Sequence, residues 1–190
     1  MLEVRQATAG DLCDVVRVMA AAFDDDPVLR WLVPSGRSLE PLFAAHARWA
    51  HAAPAVTDLA LLDGEPVGAA FWDPPGYRVA GARQLAGIPF YARALGRHLR
   101  RGVMVENLMH RARPHEEFWY LAGIGAVRRG EGIGSTLLRH RLDRIRGAAY
   151  LESSRQENIR LYEHFGFELR EPIRLPDGPE LWPMWRKETA

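Results

Sequence analysis

The sequence predicts an α/β fold, a mixed sheet with helices on both faces. Three observations carry this. Phe118–Gly125 is an apolar run of strand length, as expected of a strand buried on both faces. Val56–Leu62 and Val67–Trp72 read as two strands joined across Asp63-Gly64, where the glycine permits the positive φ of a hairpin turn. Beyond Phe118, strand and helix patterns alternate.

The remaining elements follow in order. Leu2–Ala7 alternates as a short strand, and Thr8 is placed to cap a helix whose apolar positions are Leu12, Val15, Val16, Met19 and Phe23. Cys13, the only cysteine, is expected on that helix's apolar face; a lone cysteine forms no internal disulfide framework. Asp24-Asp25-Asp26-Pro27 ends this helix, and Pro27 opens a short second one. Ser38 to about Ala52 is helical, and Gly81–Arg111 is mostly helical with breaks expected at Gly87, Pro89 and Gly102. After the apolar strand come a helix from about Gly132 to Arg146, a strand Ala149–Glu152, a short helix from Glu157 to about Phe165 ended by Gly166, and two strands, Phe167–Leu175 and Leu181–Arg186. With no repeat or linker, residues 1–190 read as one domain.

The chain has 190 residues, a formal net charge of +1 and 47% hydrophobic residues, which argues against nucleic-acid or membrane partners. Met1–Arg5 lacks the features of a signal peptide, so a cytoplasmic location is expected. Residues 93–113 hold Arg93, Arg97, Arg100, Arg101, Arg111 and Arg113 against Glu106 alone, a pattern that reads first as a solvated helical face. The histidines show no metal-ligand spacing, so no metal is expected. The C-terminal strand pair is apolar and can serve as a dimer edge, which leaves a homodimer open.

The segment Ile124-Gly125-Ala126-Val127-Arg128-Arg129-Gly130-Glu131-Gly132-Ile133-Gly134-Ser135-Thr136 joins the end of the buried strand to a helix. Glycines let the chain turn tightly and let a ligand approach the backbone, and the unpaired N–H groups of a helix start attract phosphate oxygens. Arg128 or Arg129 can add charge-assisted bonds. A P-loop needs Lys before Ser or Thr after its last glycine, and a dinucleotide fingerprint needs Gly-x-Gly-x-x-Gly early in the chain; neither is met.

Arg129-x-x-Gly132-x-Gly134 after a strand resembles the acyl-CoA signature, Gln/Arg-x-x-Gly-x-Gly/Ala, of the GNAT superfamily of N-acetyltransferases. Asn158-Ile159-Arg160-Leu161-Tyr162-Glu163-His164-Phe165-Gly166-Phe167 is similar to the family's next block. Ala20–Phe23 with Asp26-Pro27, Phe118–Leu121, Leu151–Ser154 and Leu175–Pro179 with Trp182 and Met184 resemble the puromycin N-acetyltransferase group within it. One departure is present: the loop between the strand end and Arg128-Arg129 is about two residues shorter than usual.

The resemblance implies a mostly antiparallel sheet of about seven strands, splayed at an acyl-CoA site, and attack of a small-molecule primary amine on acetyl-CoA in a ternary complex. It places the cofactor on Ala126, Val127, Arg128, Arg129, Gly130, Gly132, Ile133, Gly134, Ser135 and Asn158, with the backbone N–H of Ala126 or Val127 as oxyanion donor. Tyr162 is implied as the general acid, with core packing as its bland alternative; N-capping is that of Asn158. Glu152 is the candidate base if burial raises its pKa; otherwise it is an acid that binds the amine or a neighbouring Arg. Asp24, Asp25, Asp26 and Glu40 offer charge to a cationic amine, and Phe23, Trp31, Trp49, Trp72 and Trp119 offer an aromatic wall. An acyl-CoA sensor with little turnover and a protein N-acetyltransferase are the competing readings.

Overall fold

The computed structural model describes residues 1–188. Strands β1 (Leu2–Gln6), β2 (Val56–Leu62), β3 (Glu65–Asp73), β4 (Phe118–Ala126), β5 (Ala148–Ser153), β6 (Glu168–Leu169), β7 (Ile173–Arg174) and β8 (Glu180–Arg186) form a sheet of order β1-β2-β3-β4-β5-β8-β6, with β7 also paired to β8. Only β4 and β5 run parallel; the other pairs are antiparallel. The hairpin turn lies where expected, with both Asp63 and Gly64 at positive φ.

Helices α1 (Leu12–Ala22), α2 (Pro27–Leu32), α3 (Glu40–Ala45), α4 (Gly81–Leu95) and α5 (Leu99–Ala112) contribute to a core that includes Met19, Leu42, Leu59, Phe71 and Val105. Helices α6 (Ile133–Leu142) and α7 (Ile159–His164) contribute to a second core around Ala70, Trp72, Leu121, Leu137 and Leu151. Phe71 and Trp72 are neighbours in β3 and fall in different cores, as strand alternation requires.

Several expectations are corrected. Cys13 is exposed, because the buried stripe of α1 centres on Val15, Val18 and Met19, on the opposite side. The 81–111 segment breaks at Gly96, whose φ is 53°, and not at Gly87, Pro89 or Gly102, which lie inside α4 and α5. The two glycines serve packing: a Cβ at Gly87 would sit 3.1 Å from the Trp49 Cβ, and one at Gly102 would sit 2.5 Å from the Leu95 Cδ1. Helix α6 stops at Leu142, short of Arg146. The strand expected over Phe167–Leu175 is two two-residue strands, since Pro172 between them has no N–H to donate. The sheet therefore has eight strands. In the C-terminal strand pair, β8 lies inside the sheet between β5 and β6, and β6 forms its edge.

Candidate active site

The parallel pairing of β4 and β5 covers only Phe118–Leu121 against Ala148–Leu151, yet both strands continue. Past Leu121 and Leu151 a cleft of roughly 2040 Å³ opens between them, larger than the ~300–1,000 Å³ of a typical single-ligand pocket. The last five residues of β4 are accordingly half-buried and line the cleft, rather than lying buried on both faces as the apolar run predicts.

Strand alternation decides which β4 amides face the cleft. The Val127 N–H donates to the Val67 carbonyl at 2.9 Å, and Gly68 pairs with Ala126 and Ala70 with Ile124. The N–H groups of Ile124 and Ala126 therefore point away from β3, to the edge that β5 leaves unpaired. Of the two amides expected as oxyanion donors, Val127 is already committed to the sheet. Ile124 shares the orientation of Ala126 and was not foreseen.

The glycine turn leads into α6. Gly130 and Gly132 have φ of 82° and 73°, so both need glycine's freedom, and a Cβ on either would meet open space. The first helical bond is from the Thr136 N–H to the Gly132 carbonyl, which leaves the amides of Ile133, Gly134 and Ser135 without helical partners. No side chain caps this end. A Cβ at Gly68 would lie 2.7 Å from Ile133 Cγ2, so the bare glycine lets α6 settle close on β3. Arg128 lies 3.9 Å from Glu131. Arg129 forms a bidentate pair with Asp25.

Asn158, Tyr162 and Glu152 line the same cleft. Asn158 precedes α7 without using its side chain as a cap. Tyr162 is buried against Phe167, and burial, followed by the charge of Asp26, holds its hydroxyl well above the usual phenol pKa. The Glu152 side chain is 1% exposed. Burial raises its pKa to about 7 even though Arg113 acts in the other direction. Both Glu152 carboxylate oxygens, the Arg113 Nε and the Tyr150 hydroxyl are buried without a hydrogen-bond partner. Arg113 Nε is 3.8 Å from Glu152 Oε1, and its guanidinium carbon lies 4.3 Å from the centroid of the Tyr120 ring. A buried carboxylate that accepts no hydrogen bond is costly even beside a cation, and such groups mark sites built for a ligand.

Other expected residues are used elsewhere. Asp24 pairs with Arg30, and Asp25 with Arg129 and Arg155. Asp26 is the buried N-cap of α2, accepting from the Val28 and Leu29 amides at 3.0 and 2.9 Å and from the Ser154 hydroxyl. Glu40 sits in the first turn of α3. None of the three aspartates is free for an amine. Of the aromatic wall, Phe23 and Trp49 line the cleft. Trp72 is fully buried, Trp31 donates to the Asp177 carbonyl and Trp119 to that of Arg146. A His51–Asp73 pair also lines the cleft, with Nδ1 2.9 and 3.0 Å from the two carboxylate oxygens; the spacing of 22 residues gave no signal for it. Among the described residues no group of three or more His, Cys, Asp or Glu is placed to hold a metal ion, and no helix is long and apolar enough to cross a membrane.

Known structures share this fold. A crystal structure described as histone acetyltransferase HPA2 and related acetyltransferase, from Corynebacterium glutamicum, is 28% identical and superposes with a TM-score of 0.79 over 100% of this chain and 97% of that one. The mosquito arylalkylamine N-acetyltransferase like 5b shares the fold at 12% identity, with a TM-score of 0.68 over 98% and 100% of the two chains. A GNAT family acetyltransferase from Brucella melitensis, solved with acetyl-CoA, does so at 17% identity and a TM-score of 0.53 over 100% and 90%. Residues 21–167 match the acetyltransferase (GNAT) family. With that match spanning most of the sequence, the chain belongs to the acetyltransferase (GNAT) family.

Proposed function

We propose that this protein is an acetyl-CoA-dependent N-acetyltransferase, one domain acting on a primary amine of a small molecule. The observation that carries the reading is one cleft with two chemically different ends. One end holds the open amides of Ile133–Ser135, suited to a pyrophosphate; the other holds the buried carboxylate of Glu152, which faces Arg113 but accepts no hydrogen bond.

Acetyl-CoA supplies the activated acyl group. The turn from Arg128 to Ser135 binds its phosphates, and Asn158 meets its amides. Glu152, with a pKa of about 7, takes a proton from the entering ammonium, which frees the nitrogen lone pair for the thioester carbon. The Ala126 N–H, with Ile124 behind it, donates to the carbonyl oxygen as charge develops there. Tyr162, whose hydroxyl stays protonated, donates to the departing sulfur. The nitrogen–carbon bond forms, the carbon–sulfur bond breaks, and the products are the N-acetyl amide, the CoA thiol and one proton.

The resemblance to the puromycin N-acetyltransferase group favours an aminonucleoside or other antibiotic amine, in a cytoplasmic setting. Mass spectrometry of an amine panel with acetyl-CoA tests the reading, with an amine-dependent mass gain of one acetyl group as the expected result. A second reading, a CoA sensor with little turnover, draws on the committed Val127 amide and the Arg129–Asp25 pair. The Tyr162→Phe variant separates the two: loss of activity with CoA binding retained supports the enzyme, and an unchanged basal rate supports the sensor.

A further inference from the structure

The cleft extends past Glu152 into a chamber walled by α4, α5 and the π-helical turn His46–Ala50 with the adjoining His51. Its walls are aromatic and apolar. Tyr91 meets His46 edge-on with centroids 5.4 Å apart, and His51 stacks on Phe71 at 5.6 Å and 20°. Ile88 on α4 and Val103 on α5 also line the cleft, yet they are 49% and 55% exposed. Two branched side chains left to water inside one concave site are suited to an apolar occupant.

The chamber's carboxylates are either engaged by a partner, set beside Arg113 or held at its exposed rim. Asp73 is opposite Tyr120, and Tyr120 opposite Tyr150, two residues before Glu152. The His51–Asp73 pair and Glu152 therefore share one sheet face, with β4 between them. Asp73 is engaged by His51, and Arg113 stands beside Glu152. His46, half-buried, has its pKa lowered to about 4 by desolvation, so it adds no charge at neutral pH. The acids Glu106, Glu116 and Glu117 lie at the exposed rim, and Glu106 already faces Arg113 at 3.9 Å. Arg78, and Arg111 of α5, line the cleft beside Arg113. One ammonium finds Glu152; a second cation finds no uncommitted carboxylate within the chamber. With Nδ1 of His51 engaged by Asp73, the ring nitrogen left for a ligand is Nε2, which accepts a hydrogen bond in the neutral ring.

We propose that this chamber selects as acceptor a primary amine of single positive charge, on an aromatic or branched apolar body whose hydroxyl group donates to His51 Nε2. The proposal rests on the acetyl-transfer reading above and narrows its substrate class.

The test compares kcat/KM at saturating acetyl-CoA for 2-phenylethylamine, its 4-hydroxy analogue, hexylamine and 1,6-diaminohexane. The aromatic amines are expected to exceed the diamine by at least tenfold, and the hydroxy analogue to exceed its parent severalfold. His51→Ala is expected to abolish the hydroxyl preference while the parent amine is still used. Ile88→Asp and Val103→Asp are expected to raise the aromatic amines' KM about tenfold with kcat within twofold and the Kd for CoA unchanged. A preference for the diamine overturns this proposal and leaves acetyl transfer standing. So does a hydroxyl preference that survives His51→Ala. An unchanged KM in the α4 and α5 variants, or a shift in mass by light scattering showing that a second copy covers these residues, overturns it as well. No product with any of the four, nor with a wider amine panel, removes the transfer reading and this proposal together.

Discussion

Arg129 of the glycine turn is bound bidentately to Asp25 of the turn between α1 and α2, with Nη1 2.8 Å from Oδ2. Arg129 first, then Arg155, holds the Asp25 carboxyl down at about 2. A carboxylate thus occupies the arginine proposed to meet a pyrophosphate. Asp25→Asn removes that competitor and one negative charge. Since exposed pairs are worth roughly 0.2–1 kcal/mol, CoA is expected to bind about two- to fivefold tighter. Titration calorimetry at low and high salt checks this, with the gain shrinking as salt rises.

Glu152→Gln is expected to separate activity from stability. As a base the carboxylate must be ionised, so the wild-type rate falls as pH drops below about 7. The Gln variant loses about 10²–10⁴-fold in kcat. Its effect on folding has the opposite sign. The folded carboxyl, at about 7 against an ordinary 4.5, binds more protons than the unfolded one between those values. Wild-type stability therefore declines as pH rises from about 4.5 to 7 on this account. Gln removes that decline, so its melting temperature relative to wild type rises from pH 5 to pH 8, by the equivalent of about 2–3 kcal/mol. Paired thermal scans at the two pH values are the measurement.

Arg113→Met tests the neighbour that opposes burial. Arg113 lowers the Glu152 pKa from 3.8 Å away, so its loss moves the acid limb of the kcat/KM profile upward, beyond pH 7. A role confined to packing lowers the rate without moving the limb. The pH profile of the variant, taken with one amine, distinguishes these outcomes.

Gly132→Ala and Gly134→Ala are expected to differ. Position 132 has φ 73° and precedes α6 in the left-handed region, so Ala costs about 1–2 kcal/mol and displaces the amides that follow. Gly134 has ordinary helical φ, and its Cβ would be 3.9 Å from the Leu161 side chain. Only Gly132→Ala should lower both melting temperature and CoA affinity.

What the sequence displayed and what it concealed divide along local and non-local lines. The turn from Arg129 to Gly134, the helix bearing Tyr162 and the hairpin at Asp63-Gly64 are written in adjacent residues. Glu152 could be named from its strand, but its environment could not. Tyr120 reaches it through the register of β4 on β5, and Arg113 through the chain's course after α5. His51 and Asp73 meet because the π-helical turn folds over the end of β3. Asp25 was read as a charge for an amine, whereas the tertiary fold delivers two arginines to it. The Val127 amide illustrates the same limit, since strand parity decides its direction and a motif does not record parity.

Beneath α6, Arg141 clamps Asp58 of β2, with Nε 2.9 Å from Oδ2 and Nη2 on Oδ1. The Asp58 side chain is fully buried, and His140 Nε2 stands 3.8 Å away. The pair ties the helix whose N-terminus forms the proposed pyrophosphate site to the sheet that carries the rest of the cleft. Asp58→Ala leaves the guanidinium buried without its anion, and breaking such a pair costs about 3–5 kcal/mol. Replacing both partners by apolar residues of similar volume, Asp58→Leu with Arg141→Met, removes both desolvation costs together and should recover most of that loss. Denaturant unfolding of Asp58→Leu, Arg141→Met and the double variant gives the cycle. If the pair also sets the tilt of α6 on the sheet, the double variant will match wild type in stability yet bind CoA more weakly, because its helix start is no longer held in register with β4.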